Sequence, residues 1–148
     1  MLYEERLWPT PGIWVIAAVM AAGAGIALNP LGKPLVAVVA VAVFIPVAAA
    51  LTHFAITIRV DADELRVGKA HIDTSLLSGA ESFDEEQARY AKGPGLDARA
   101  YLAMRGWLSG VVRIGLDDPS DPTPYWLVSS RNPQALAAAV NEAVAARR

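Results

Sequence analysis

The sequence predicts a membrane α-helical hairpin followed by a small α+β domain, and three observations carry that prediction. Two long uncharged apolar runs fill the first third of the chain, a short stretch of turn formers separates them, and brief alternating segments follow before one amphipathic stretch at the C-terminus. The composition agrees: 54% hydrophobic residues and a mean hydropathy of +0.33 over 148 residues exceed what a soluble domain of this size usually carries.

Between Arg6 and Lys33 lie 26 residues without a formal charge, of which 13–28 are almost wholly apolar. About 20 such residues cross a hydrocarbon core about 30 Å thick. A second uncharged run of 25 residues separates Lys33 from Arg59, centred on 35–51. Helices are therefore expected over 12–28 and 35–53, within an N-terminal segment and hairpin spanning 1–53. Asn29-Pro30-Leu31-Gly32-Lys33-Pro34 stops the first helix and places a proline in the first turn of the second. The small residues Ala17, Ala21, Ala22, Gly23, Ala24 and Gly25 are expected to face Ala37, Ala40, Ala48, Ala49 and Ala50, letting the two backbones approach closely. Pro46 is expected to kink the second span, while Trp8 and Trp14 suit an interfacial aromatic belt. A signal peptide fits less well, because Glu4 and Glu5 occupy the place of a basic region and the second run follows at once. A buried helical hairpin of a soluble protein fits less well too, since the 95 residues of 54–148 are too few to cover two such helices on all sides. A hairpin returns both termini to one side, where Arg6, Arg59, Arg66 and Lys69 outnumber Lys33 in the loop. The expected location is the plasma membrane, multi-pass, with both termini cytoplasmic.

The domain expected over 54–148 begins with Phe54, Ile56, Ile58 and Val60 alternating with Ala55, Thr57 and Arg59, the period of a half-buried strand. Asp61-Ala62-Asp63 reads as a turn, and 64–67 and 70–73 read as further short strands of a meander. Residues 84–92 place acids first and bases last, as a short helix complementing its own dipole would, and Gly93-Pro94-Gly95 ends it. Residues 100–108 alternate, with Leu102, Met104 and Leu108 expected inside and Tyr101, Arg105 and Trp107 outside. Residues 111–116 and 125–129 read as a hairpin with a long tip of aspartates and prolines. Asn132 is expected to cap a helix over 133–147 with Pro133 in its first turn, Leu136, Val140 and Val144 as its packing stripe, and Arg147-Arg148 at its end. Strands followed by one C-terminal helix match the layout of a pleckstrin-homology-like β-barrel or sheet, with another α+β sheet domain as the alternative.

Several chemistries are excluded or unsupported. There is no cysteine, so disulfides, thiolate metal sites and a cysteine nucleophile are absent. From Phe54 onward 11 basic and 13 acidic residues leave no basic excess, which argues against a nucleic-acid partner. No nucleophile elbow, zinc-protease helix, phosphate-binding loop or dinucleotide fingerprint occurs, and no cofactor or metal is expected. His53 and His71 have no further ligands at metal spacing, and the tip with Asp117, Asp118 and Asp121 lacks the spacing of a calcium loop. The candidate binding surface is the stretch from Lys92 to Trp107, where glycines precede Asp97, Arg99, Tyr101, Arg105 and Trp107, with Arg131 as an additional member. Guanidinium forks and aromatic faces in that pattern suit a phosphate or carboxylate, including a lipid headgroup. The same residues also fit an ordinary loop whose arginine stems cover aromatic rings.

Tyr3-Glu4-Glu5-Arg6 before the first apolar run, Leu65-Arg66-Val67-Gly68, Gly93-Pro94-Gly95-Leu96-Asp97-Ala98-Arg99-Ala100-Tyr101, and Pro122-Thr123-Pro124-Tyr125-Trp126-Leu127-Val128-Ser129-Ser130-Arg131 resemble the actinobacterial membrane proteins classed as domain of unknown function 3093. That resemblance implies a small two-span membrane protein of an actinomycete, and it brings no activity, cofactor or catalytic residue. The expected function is a membrane-anchored, non-enzymatic interaction module whose cytoplasmic β-domain binds a protein partner or anionic lipid headgroups. Its partners are the lipid bilayer together with a membrane protein or further copies of itself. The alternative is an enzyme or enzyme subunit acting on a membrane-proximal phosphorylated substrate, with Arg99, Arg105 and Asp97 as its working groups. A channel or transporter is disfavoured by two spans without an intramembrane charge.

Overall fold

In a computed structural model, which describes residues 1–53 and 55–147, the chain divides into two units: Trp8–Ala55, and residues 1–7 together with the chain from Ile56 onward. The first unit is a helical hairpin. Helix α1 (Pro11–Ala27) starts with a proline in its first turn, where the missing N–H removes no intrahelical bond. Helix α2 (Lys33–His53) runs on through Pro46. A 3₁₀ turn at Asn29–Leu31 joins them, followed by Gly32 at φ 118°, a conformation that favours glycine.

Helix α1 buries one narrow stripe, Ala17, Ala21 and Gly25, at the four-residue spacing that stacks side chains on one face. A Cβ at Gly25 would overlap the carbonyl oxygen of Val36, so glycine sets how closely the helices approach. The broad small-residue interface expected from sequence is narrower in fact. Ala22, Gly23, Ala37, Ala49 and Ala50 are exposed, because two packed helices meet along only one face of each. Among the described residues α2 is the one helix long and apolar enough to cross a membrane; α1, at 17 residues, is shorter.

The second unit opens with an unexpected strand, β1 (Tyr3–Leu7), which pairs antiparallel with β2 (Ile56–Val60). Leu7 lies opposite Ile56 and Tyr3 opposite Val60. Strands β3 (Glu64–Val67) and β4 (Ala70–Asp73) continue the sheet in the order β1-β2-β3-β4. Gly68, at φ 62°, takes the first central position of the two-residue β3–β4 turn, where hairpins favour glycine. The meander expected over 54–73 is present from Ile56 onward. Phe54, expected to begin its alternation, lies outside the described residues. The sequence reading placed residues 1–7 with the hairpin because their partner strand is some fifty residues away and Glu5 occupies a core-side position where an apolar residue would have signalled a strand.

The other sheet has the order β5-β7-β8-β6, built from β5 (Leu77–Phe83), β6 (Tyr101–Ala103), β7 (Val111–Leu116) and β8 (Tyr125–Ser129). β7 is antiparallel to β5 and β8, whereas β6 runs parallel to β8. β5 was not foreseen: Ser78, Gly79, Glu81 and Ser82 are weak strand formers. Its pairing with β7 is reinforced by Asn141, whose side-chain amide bonds both the N–H and the C=O of Ala80 at 2.8 and 2.9 Å. The strand expected over 100–108 shrinks to Tyr101–Ala103; Tyr101 is exposed and Leu108 buried as expected, but Leu102, expected inside, is 44% exposed and Ala103 is buried in its place. Parallel pairing with β8 fixes that register, and the chain leaves the sheet before Arg105.

Two helices cover this sheet. Helix α3 (Glu85–Lys92) lies over a small cluster of Ala88, Val111 and Leu127. Helix α4 (Pro133–Ala145) packs on β5 and β7 and also on β1 and β2, burying Leu136, Val140 and Val144 as expected, with Ala137, Ala139 and Ala143 beside them. The main core joins Leu7, Ile58, Val60, Leu65 and Val67 of one sheet to Val112, Ile114 and Val128 of the other beneath α4. Burial on both faces explains the unbroken apolar run of β8. Asn132 occupies the N-cap position without a capping bond from its side chain; its own N–H donates to Ser130 Oγ instead. Arg147 reaches the β2–β3 turn, where it pairs with Asp63, and Arg148, expected beside it at the helix end, lies outside the described residues.

Candidate functional site

Of the six residues singled out from sequence, Asp97, Tyr101 and Arg105 fall along β8, because the segment that carries them follows that strand in parallel. Asp97 N–H donates to the Tyr125 hydroxyl at 2.8 Å, Tyr101 lies opposite Trp126, and Arg105 N–H donates to Ser129 Oγ at 2.9 Å. Arg131 follows two residues after Ser129.

Within that strip the residues make separate local arrangements. Arg99 grips Asp97 through Nε at 3.2 Å and a terminal nitrogen at 3.0 Å, and the arginine side chain is 66% exposed. Those guanidinium bonds, with the Arg99 backbone N–H, hold the Asp97 carboxyl at about 2, well below the usual carboxylate range. An acid of that strength is poorly matched to proton transfer near neutral pH. The Tyr101 ring packs on Trp126 with centroids 4.8 Å apart. The Arg105 guanidinium lies 5.9 Å from the centre of the Trp107 ring and donates to the Met104 carbonyl at 3.0 Å.

Arg131 is positioned through its backbone. Its N–H donates to Glu5 Oε1 at 2.9 Å, while Glu5 Oε2 accepts from the hydroxyls of Ser130 at 2.6 Å and Tyr3 at 2.8 Å. Glu5 therefore ties the N-terminal strand to the β8–α4 turn. Burial pushes the Tyr3 hydroxyl above the ordinary tyrosine range.

Of the six residues only Trp107 lines the groove of about 510 Å³ between α3 and the turn after β6, where it is joined by Arg89, Lys92 and Glu85. Lys92 Nζ donates to the carbonyls of Leu108 and Ser109 at 2.8 and 2.9 Å, and burial lowers its pKa. Among the described residues the Trp107 indole N–H is buried without a hydrogen-bond partner. The sequence showed Arg89 and Lys92 as the basic end of a helix; which loop they meet depends on tertiary packing. Arg113 was also missed. It lies 5.1 Å from the Phe83 ring and 5.8 Å from Tyr125, and bonds Glu81 at 2.6 Å. Strand alternation points Arg113 outward, but its aromatic neighbours come from β5 and β8. No group of three or more histidine or acidic side chains is arranged to hold a metal among the described residues. At the β7–β8 tip Asp118 and Asp121 accept local backbone bonds from Ser120 and Thr123 at 2.8 Å each.

A family model matches residues 2–140, from β1 well into α4, and its description is protein of unknown function DUF3093. The chain belongs to the DUF3093 family. No curated protein and no solved structure matches it. The match takes in both units, so the helical hairpin and the β-unit that β1 completes belong to one family pattern.

Proposed function

We propose that this DUF3093 protein is a two-span, membrane-anchored interaction module without enzymatic activity, whose cytoplasmic β-unit binds anionic lipid headgroups or a membrane protein. The observation that carries the reading is the pairing of β1 with β2. One strand precedes α1 and the other follows α2, so a bilayer crossed by α2 alone would leave the two strands on opposite sides. The apolar length of α2 asks for a crossing, and the ladder then requires α1 to cross as well. Seventeen residues are at the short end of what spans a bilayer, about 17 to 25. The excess of Arg6, Arg59, Arg66 and Lys69 over Lys33 favours a cytoplasmic β-unit. Two sheets closed by a C-terminal helix support a pleckstrin-homology-like arrangement, from which α3 and the parallel β6 depart.

Alkaline carbonate extraction of membranes, combined with single-cysteine labelling, tests the reading. The chain is expected to stay with the membrane. A cysteine replacing Asn29 should react with an impermeant maleimide on intact cells, and one replacing Ser120 should react only after lysis. Release into the carbonate supernatant, or labelling of both positions on intact cells, would overturn it.

A further inference from the structure

On the face of the first sheet turned away from the core, strand register sorts the charged residues into three rows. Arg6 lies opposite Thr57, in line with the β3–β4 turn that carries Lys69. The next row is Glu4, Arg59, Arg66 and His71, each opposite its neighbour. The last holds Asp61, Glu64 and Asp73, with Glu64 directly opposite Asp73. Cations thus outnumber carboxylates, with Glu4 alone among them, at the end where β1 leads into α1 and β2 arrives from α2. The remaining carboxylates lie at the far end, where the N-terminal ammonium meets Asp61 and Arg147 meets Asp63. Solvated faces that only confer solubility mix the two signs.

Two features mark the basic rows as a binding surface. Arg59 sits directly opposite Arg66, and like charges so placed destabilise a sheet. Glu4 at 2.9 Å from Arg59 and Glu64 at 3.1 Å from Arg66 offset part of that repulsion, and an external anion would offset more. The rows also lack the aromatic and aliphatic anchors that centre protein interfaces. Cations presented without apolar anchors suit a charged headgroup layer, where each contributes a comparable increment. Three residues join β1 to α1 and two join α2 to β2, which keeps the basic end within reach of the surface where the helices enter.

We infer that this face, through Arg6, Arg59, Arg66 and Lys69, docks on the anionic phospholipid headgroups of the bilayer that holds the hairpin. The inference rests on the membrane-anchored reading above. The natural chain has no cysteine, so single fluorophores can be placed on full-length protein at Thr57→Cys, in the basic rows, and at Ala62→Cys, in the turn at the acidic end. Quenching by a lipid carrying a nitroxide on its headgroup is compared in phosphatidylcholine vesicles and in vesicles with a third of that lipid replaced by phosphatidylserine. Quenching at position 57 should exceed that at 62 and should rise with phosphatidylserine. Arg66→Gln and Lys69→Gln, both exposed, should each lower the docked-to-undocked ratio about fivefold, and raised salt should do the same to the unsubstituted chain. Equal quenching in the two vesicles, or quenching indifferent to both substitutions and salt, would overturn the inference. Protein stripped from the vesicles by carbonate would overturn the anchored reading instead; protein retained with charge-independent quenching would overturn only the docking.

Discussion

Asp97 and Glu5 are both carboxylates with several donors, and they differ in where those donors come from. The partners of Asp97 belong to Arg99, two residues away on the surface. Because its folded pKa lies below the ordinary 3.8, whatever stability the pair contributes is complete above that value and is lost as pH falls through about 2. A carboxyl-carbon NMR titration should give a midpoint near 2 for Asp97, moving back toward 3.8 in Arg99→Ala. Glu5 gathers its donors from Tyr3, Ser130 and Arg131, and Ser130 is buried. Glu5→Ala should cost about 2–3 kcal/mol, since it leaves the proton of a buried hydroxyl and a backbone N–H without their acceptor. Glu5→Gln, which still accepts, should cost less in the same denaturant titration. At this scale the sequence supplied residue types without partners. Asp97 and Arg99 are neighbours in any reading, but nothing in Tyr3-Glu4-Glu5-Arg6 announces a bond to a serine 125 residues on.

Elements were legible where period and punctuation agreed. Both hairpin helices, the 56–73 meander, α3, β7, β8 and α4 follow their apolar patterns to within a few residues. Two strands were not, and a third was overextended, each for a physical reason: β1 hides a carboxylate at a core-side position, β5 is built of poor strand formers held by Asn141, and β6 keeps only the three residues that pair in parallel with β8. Missing β1 has practical weight, because a fragment beginning at residue 54 lacks it. Such a fragment exposes the edge of β2 and loses Leu7, which is fully buried. It should be less stable by at least about 2 kcal/mol than a version in which Leu7 is joined to Ile56 through a two-residue Asn-Gly turn, measured by urea unfolding.

For the whole molecule, α1 decides between a membrane protein and a soluble one, since Val15, Ile16, Val19 and Met20 are all more than half exposed. If these side chains face lipid, Val19→Arg places a charge mid-span at a cost of about 2.5–3.5 kcal/mol. Carbonate-resistant protein should then fall, and amides of β1 should lose hydrogen-exchange protection in membranes. If the hairpin were in water, the same substitution would leave both unchanged. The apolar character of the helical unit was legible from composition alone. The return of residues 1–7 to the distant unit was not, since it is a pairing across more than fifty residues.

That return also imposes an order on biogenesis. β1 is made first, yet its partner emerges only after both helices have been synthesised. Until then the N-terminal strand has no ladder, and Leu7 and Glu5 have neither their core nor their hydrogen bonds. Closure of the β-unit therefore waits until the whole hairpin has been made. On the proposed two-span reading, a chain that inserted only one helix would leave the sheet open, with an unpaired edge for quality-control proteases to recognise.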